Sequence, residues 1–470
     1  MKVTTLMLER LFRMVSDRLF RLIAWTTALL APLLFGGILW LHHLDTREGK
    51  GADFAYDDRM VLWSWISHWS KQGGPILAVP PIQPSSQEKN RVLAPVESVY
   101  TDDMGFPLLV DLTTRVTGKI LGRGDFFNIV LALNVLLLYA LVVSLRRFPR
   151  ALFLASILIL FPSFYVPKEV IGPDLFPLYG TLSLMTLAMG VAVFHGRHPV
   201  SWIVAGMLLA SIYILRQAVG MILVFTLVAG TVFCLSVPAQ RTLSQLRRLL
   251  CVAGGAFAIW IGFHGMLAWR DHAIGLQGGE NRNAKHHTIF HALYLGIGNM
   301  EGNPWGIIYN DKFAYDQILG GDHVKPAQPY PEKYLRGVRD RYLGIWKKDG
   351  WRLFRWYCGH FFFVIKTTLG YGTFLLGMGY FVFAWVSRAL TPTISPLERG
   401  RERGGTVWET CIVCTGTGIL AFLVQSTLID YHSLFSYPTG LLGRYLLAFS
   451  AADAFRRLLK GAAIAKGEVV

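Results

Sequence analysis

About ten apolar runs, each long enough or nearly long enough to cross a bilayer, constrain this chain more than any other feature. They fall at residues 21–43, 126–145, 151–167, 175–195, 200–215, 217–237, 250–269, 359–388, 406–427 and 438–455. A helix rises about 1.5 Å per residue, so roughly 20 residues bridge some 30 Å of hydrocarbon. In lipid every backbone N–H and C=O needs an internal partner, and a helix supplies one within its own segment. The predicted fold is therefore all-α, a polytopic transmembrane helical bundle. Only 16% of the residues are charged, with a mean hydropathy of +0.41; soluble domains average about 25% charged. The runs at 151–167 and 200–215 are short, and suit tilted, broken or partly re-entrant helices.

The first run reads as an uncleaved anchor rather than a signal peptide. Its flank, with Arg10, Arg13, Arg18 and Arg21, is long and amphipathic, and the run to His43 exceeds a signal's apolar core. The formal net charge of +16 is distributed in a telling way. Arg146, Arg147, Arg150, Arg197, Arg241, Arg247, Arg248, Arg388, Arg399, Arg401, Arg403, Arg456, Arg457 and Lys460 occupy short connectors, one loop of modest length and the tail. With the N-terminus inside, ten spans put all of them in the cytoplasm, as the positive-inside bias expects. Topology and anionic headgroups account for the charge; nucleic acid is not an expected partner. The expected location is the inner (plasma) membrane with both termini cytoplasmic. Cys411-x-x-Cys414 has redox or metal spacing, but it lies inside an apolar run with no second pair and reads as small-residue helix packing.

This topology divides the chain into a cytoplasmic amphipathic segment (1–20), a transmembrane core (21–269), a long loop (270–357) and C-terminal spans with a basic tail (358–470). Two long loops, 44–125 and 270–357, face the same outer side. In the first, Met60, Leu62, Trp63, Ile66 and Trp69 recur at helical spacing and predict an interfacial helix with tryptophan at headgroup level. Gly73 to Asn90 is Pro- and Ser-rich and predicts a loop. Met104 to Leu121 predicts a second amphipathic helix, with Phe106, Leu109, Val110, Thr113 and Val116 on one face and Asp111, Arg115 and Lys119 on another. In the second loop, Lys285 to Leu295 predicts a short helix, Gly296 to Asn310 turns, and Pro331 to Tyr357 one or two interfacial helices rich in Tyr, Trp and Arg.

Asp102-Asp103 stand just before the helix predicted from Met104. A carboxylate there can cap the helix. Beside a membrane-facing cavity it can instead take a proton from a hydroxyl nucleophile, or ligate a divalent cation that bridges to a phosphate leaving group. Asp53, Asp57 and Asp58 form a second acidic group close after the first run. Lys168, Glu169 and Asp174 share a short outer turn, as solvated loop charges or as the rim of a binding cavity. Arg216 lies between two apolar runs on the outer side, against the positive-inside bias. A cation at mid-membrane costs about 2.5–3.5 kcal/mol or more, so it snorkels, pairs with a carboxylate or binds a ligand. Lys366 and Arg444 stand a few residues inside their runs, near the outer leaflet; with Arg216 they supply forks and point charges for a phosphate or pyrophosphate. His286, His287 and His291 lie in the second loop; His287 and His291 are spaced i, i+4, as metal ligands, substrate contacts or solvated side chains.

Taken together, these parts resemble the C-type membrane glycosyltransferases, the GT-C fold. The matching pieces are Asp53, Asp57 and Asp58 after the first run, Asp102-Asp103, the segment Tyr-Ile-Leu-Arg216-Gln-Ala-Val-Gly and Gly-Arg444-Tyr445-Leu-Leu. The resemblance covers most of the chain but is architectural. It departs from the family where Asp102-Asp103 come late in the loop. It implies sugar transfer from a polyprenyl-phosphate donor to a lipid or glycan acceptor on the periplasmic face, with an Asp as general base. Arg216, Lys366 or Arg444, with or without Mg or Mn, would stabilise the departing phosphate. Two other readings stand beside it: an O-antigen ligase or polymerase type of enzyme, in which the second loop's Arg and His dominate, and a lipid or glycan transporter.

Overall fold

The computed structural model describes residues 2–47, 58–80, 94–96, 104–165, 176–196, 198–235, 242–275, 289–299, 302–320, 332–390, 403–428 and 433–465. Helices run in the order α1 (Lys2–Arg47), α2 (Asp58–Lys71), α3 (Gly105–Thr117), α4 (Arg123–Leu145), α5 (Pro149–Tyr165), α6 (Phe176–His195), α7 (Pro199–Leu215), α8 (Gln217–Leu235), α9 (Thr242–Ala273), α10 (Ile289–Gly296), α11 (Asp311–Leu319), α12 (Glu332–Thr368), α13 (Tyr371–Leu390), α14 (Arg403–Leu428) and α15 (Ser433–Ala465). A two-residue antiparallel ladder between β1 (Ala78–Val79) and β2 (Ala94–Pro95) interrupts the helical pattern in the first loop. Among the described residues, four helical segments are long and apolar enough to cross a membrane: Asp17–Leu41, Gly124–Leu145, Leu246–Ala273 and Val407–Leu428. A fifth candidate is a bent pair, and four shorter apolar helices lie in α5 to α8. The protein is an all-helical membrane protein in its architecture.

Small residues set how closely the helices approach. Without a hydrophobic drive between helices in lipid, close backbone contact and interhelical hydrogen bonds carry association. A β-carbon on Gly206 of α7 would overlap the Val252 carbonyl of α9, and one on Gly255 of α9 would overlap the Ile203 carbonyl of α7. Gly190 of α6 lies against the Cys414 sulfur of α14, which makes the Cys-x-x-Cys spacing a packing feature. Thr181 donates to the Asn134 side chain at 2.6 Å, joining α6 to α4 through two buried polar groups.

The helix ends sort into two faces. At one, His195 of α6 bonds Thr410 of α14 (2.9 Å), and Arg248 of α9 donates to the Phe194 carbonyl (2.7 Å), covering the negative end of α6. Asp453 of α15 sits there fully buried between Arg456 (2.7 Å), Arg457 (2.8 Å) and the Tyr380 hydroxyl (2.8 Å), while Arg457 also reaches Glu409 (3.3 Å). At the other face α3 packs on the end of α7, Arg270 near the end of α9 reaches the first loop, and Leu428 at the end of α14 packs on the second. The described parts of both long loops therefore share one end of the bundle.

Three sequence expectations are corrected. Trp63 is not at headgroup level: its ring packs on Phe106 (4.4 Å between centroids) and Phe126 (5.6 Å) inside the protein core. Asp111 does not share an outward face with Arg115 and Lys119: it is turned inward onto the loop ahead of the ladder, while the other two are exposed. The run at 359–388 is not one straight span: α12 ends at Thr368, Gly370 takes a left-handed φ of 74°, and α13 leaves at a bend of 105°.

Candidate functional site

The shared end is organised around Leu77, a buried leucine with φ of 53°. Side chains other than glycine rarely adopt this conformation, and such strain persists only where the surroundings over-determine it. Here both backbone groups are held. The Leu77 N–H donates to Asp111 Oδ2 (2.5 Å). Its carbonyl accepts from the Val96 N–H (3.0 Å) and from an Arg270 Nη (3.3 Å). Asp111, 1% exposed, also accepts from the Ser70 hydroxyl and from Arg115 Nε (2.5 Å). Arg115 goes on to the Gly74 carbonyl (2.7 Å). Arg270, 3% exposed, pairs with Asp271 through Nη2 (2.7 Å) and Nε (3.0 Å). One polar node thus ties α2, the loop at 72–79, α3 and α9 together. A buried ion pair of this kind is held by its hydrogen bonds, since desolvation offsets most of the Coulombic gain.

Helix α3 begins against the turn that carries Arg216. A β-carbon on Gly105 would overlap the backbone of Ile214 and Leu215, so only glycine fits. Met104 takes the N-cap position and makes no side-chain cap. Arg216 itself breaks α7 from α8 with extended backbone (φ −153°, ψ 96°) and is partly exposed. Asp102 and Asp103 lie outside the described residues, as do Asp53 and Asp57, and Asp58 is described only as the first residue of α2. In the sequence, Asp103 is two residues from Gly105.

Lys366 and Arg444 ride on touching segments. A β-carbon at Gly443 would overlap the Leu369 side chain, so α15 packs where α12 ends. Both cations are exposed. Tyr445, beside Arg444, is fully buried and donates its hydroxyl to the Ala155 carbonyl of α5 (3.2 Å), so it serves helix packing. Lys168, Glu169, Asp174, His286 and His287 lie outside the described residues. Of the histidine pair, His291 is described: it is buried in α10 and bonds the Tyr334 hydroxyl through Nδ1 (2.8 Å).

The second loop builds its own small core from Tyr294, Tyr315, Tyr334, Leu335, Tyr342 and Leu353, with Leu428 of α14 packed against it. The Tyr357 hydroxyl donates to the Leu293 carbonyl (3.4 Å) and lies 3.5 Å from that of Tyr342; burial, then the Tyr342 hydroxyl, pushes its phenol above the ordinary range. The opposite side of α12, on both sides of its kink at Asp349, is exposed and mixes Trp346, Trp351 and Phe354 with Lys347, Lys348, Arg352 and Arg355. That composition suits a helix at headgroup level.

Sequence reasoning missed Arg270, Asp271 and Asp453. Their signal was present: charges placed at the ends of apolar helices, where burial demands a partner. Among the described residues no group of three or more His, Cys, Asp and Glu side chains comes together as a metal site. Comparison with family models, with curated proteins and with solved structures returns no match.

Proposed function

We propose that the chain is a polytopic membrane glycosyltransferase of about ten spans. It lies in the inner membrane with both termini cytoplasmic. It transfers a sugar from a polyprenyl-phosphate donor to a lipid or glycan acceptor at the periplasmic face. Architecture resembling the GT-C fold motivates the reading, and one observation carries it. Gly105, which follows the acidic pair, is packed on the turn that bears Arg216. Asp103 is two residues from Gly105 and Asp102 three, spans of at most about 7 and about 11 Å, so on this reading a general base at one of them and the Arg216 guanidinium share one neighbourhood.

In this mechanism a first-loop carboxylate takes the proton from the acceptor hydroxyl as its oxygen attacks the sugar's anomeric carbon. The bond from that carbon to the phosphate oxygen breaks, and polyprenyl phosphate leaves. Arg216 stabilises the charge that develops on the phosphate. Asp57 and Asp58 are the rival carboxylates, and Lys366 and Arg444 a second cationic pair along the lipid's path. Lys168, Glu169, Asp174 and His287 are proposed to line the approach to the site. A divalent cation, if used, falls to the first-loop carboxylates. The ordered Leu77 node supplies a rigid base for the loop, as a reacting geometry requires.

Direct binding of a polyprenyl phosphate to the protein in nanodiscs tests this. Arg216→Gln is expected to weaken binding about tenfold or more, the equivalent of one charge-assisted phosphate contact. Unchanged affinity in Arg216→Gln would remove Arg216 from the site.

A further inference from the structure

At the end of the bundle opposite the long loops, a cavity of about 380 Å³ opens between α4, α6 and α7. Arg146 and Arg147, both exposed, stand at its rim in the turn after α4. Among the described residues no carboxylate lines it. The far wall is apolar and faces outward: Val143, Val200 and Val204 are exposed, and Leu208 continues the same side of α7. On the inner side His195 closes the space, fixed by its bond to Thr410 (2.9 Å) and its edge contact with the Phe148 ring (5.5 Å). The start of α7, with Val200 and Ser201 in the lining, turns the positive end of a 17-residue helix toward the same rim.

We propose that this cavity binds an anionic phospholipid of the leaflet at that end, with its phosphate between Arg146 and Arg147 and an acyl chain along Val143, Val200 and Val204. Charge and polarity decide the occupant. Two guanidiniums fork onto phosphate oxygens, and basic pockets between membrane helices select anionic headgroups. A zwitterionic lipid would bring its own cation to a rim that already holds two. A free phosphate would leave the apolar wall uncovered. The site is separate from the transfer reaction and does not depend on it.

Delipidated full-length protein in detergent tests the proposal, with melting temperature and native mass spectrometry as readouts. Phosphatidylglycerol is expected to raise the melting temperature and to stay bound. Phosphatidylcholine of the same chains and glycerol 3-phosphate are expected to do neither. Arg146→Gln with Arg147→Gln should leave the lipid-free melting temperature unchanged and weaken phosphatidylglycerol binding about tenfold or more. Val204→Phe, at an outward-facing position that tolerates bulk, should weaken it as well by occupying the chain's path. Equal binding of phosphatidylcholine overturns the proposal, as does the same shift from glycerol 3-phosphate. So does wild-type affinity for phosphatidylglycerol in the arginine pair or, where that pair fails to fold, in Val204→Phe.

Discussion

Asp111 holds three donors at once: the Ser70 hydroxyl, the Leu77 N–H and Arg115 Nε. An orphaned buried donor costs about 1–3 kcal/mol. Asp111→Ala should therefore destabilise by about that much for the Leu77 N–H alone, measured as a drop in melting temperature in detergent. Asp111→Asn can keep the oxygen that accepts from Ser70 and Arg115 and should lose less; equal losses in both variants would mean that this retained oxygen contributes nothing. Nothing in the sequence hinted at this role, because helical periodicity places Asp111, Arg115 and Lys119 on one stripe without saying what packs over it. Lys119 behaves as that stripe suggested, meeting Asp125 (2.7 Å) on an exposed surface. Arg216 stood out for a different reason: an arginine between two apolar runs, expected on the outer side, calls for snorkelling, a carboxylate or a ligand.

Helices α7 and α9 meet through adjacent glycines with opposite surroundings. Gly255 abuts the Ile203 carbonyl, whereas a β-carbon on Gly254 would meet nothing within 4 Å. Gly255→Ala should cost about 1–3 kcal/mol through overpacking. Gly254→Ala should be neutral or gain up to about 1 kcal/mol of helix propensity. Melting temperatures of the two variants check the contrast, and a Gly255→Ala protein as stable as the Gly254→Ala one would show that the helices do not touch there. Element identity was well marked by the sequence: α2, α3, α10 and the start of α12 all fall in segments it predicted as helical. Boundaries and contacts were not. The break at Gly370 is one glycine among many, and the merging of interfacial and apolar segments into α1 and α12 leaves no composition signal. Trp63 looked like a headgroup tryptophan because the ring suits an interface and a protein core equally, and Phe106 and Phe126 are distant in sequence.

For the molecule as a whole, the central feature is that the described parts of both long loops and the Arg216 turn meet at one end, with the Arg146–Arg147 turn at the other. A cysteine at Val116, 86% exposed on α3, should react in cells with a membrane-impermeant maleimide, and one at Arg146 should not. The reverse pattern would invert the proposed orientation. The grouping of basic short connectors away from the long loops was expected from the sequence, since the positive-inside bias needs no tertiary structure. Which carboxylate would act in the proposed transfer was not readable, because Asp102-Asp103 and Asp57-Asp58 have the same residue types in the same loop. The most direct test of the account is the initial rate of sugar transfer from a polyprenyl-phosphate donor. Alanine at both Asp102 and Asp103 should lower it roughly 10²–10⁴-fold, the contribution of a positioned base, while donor binding persists. Near-normal turnover in that double variant would contradict the account.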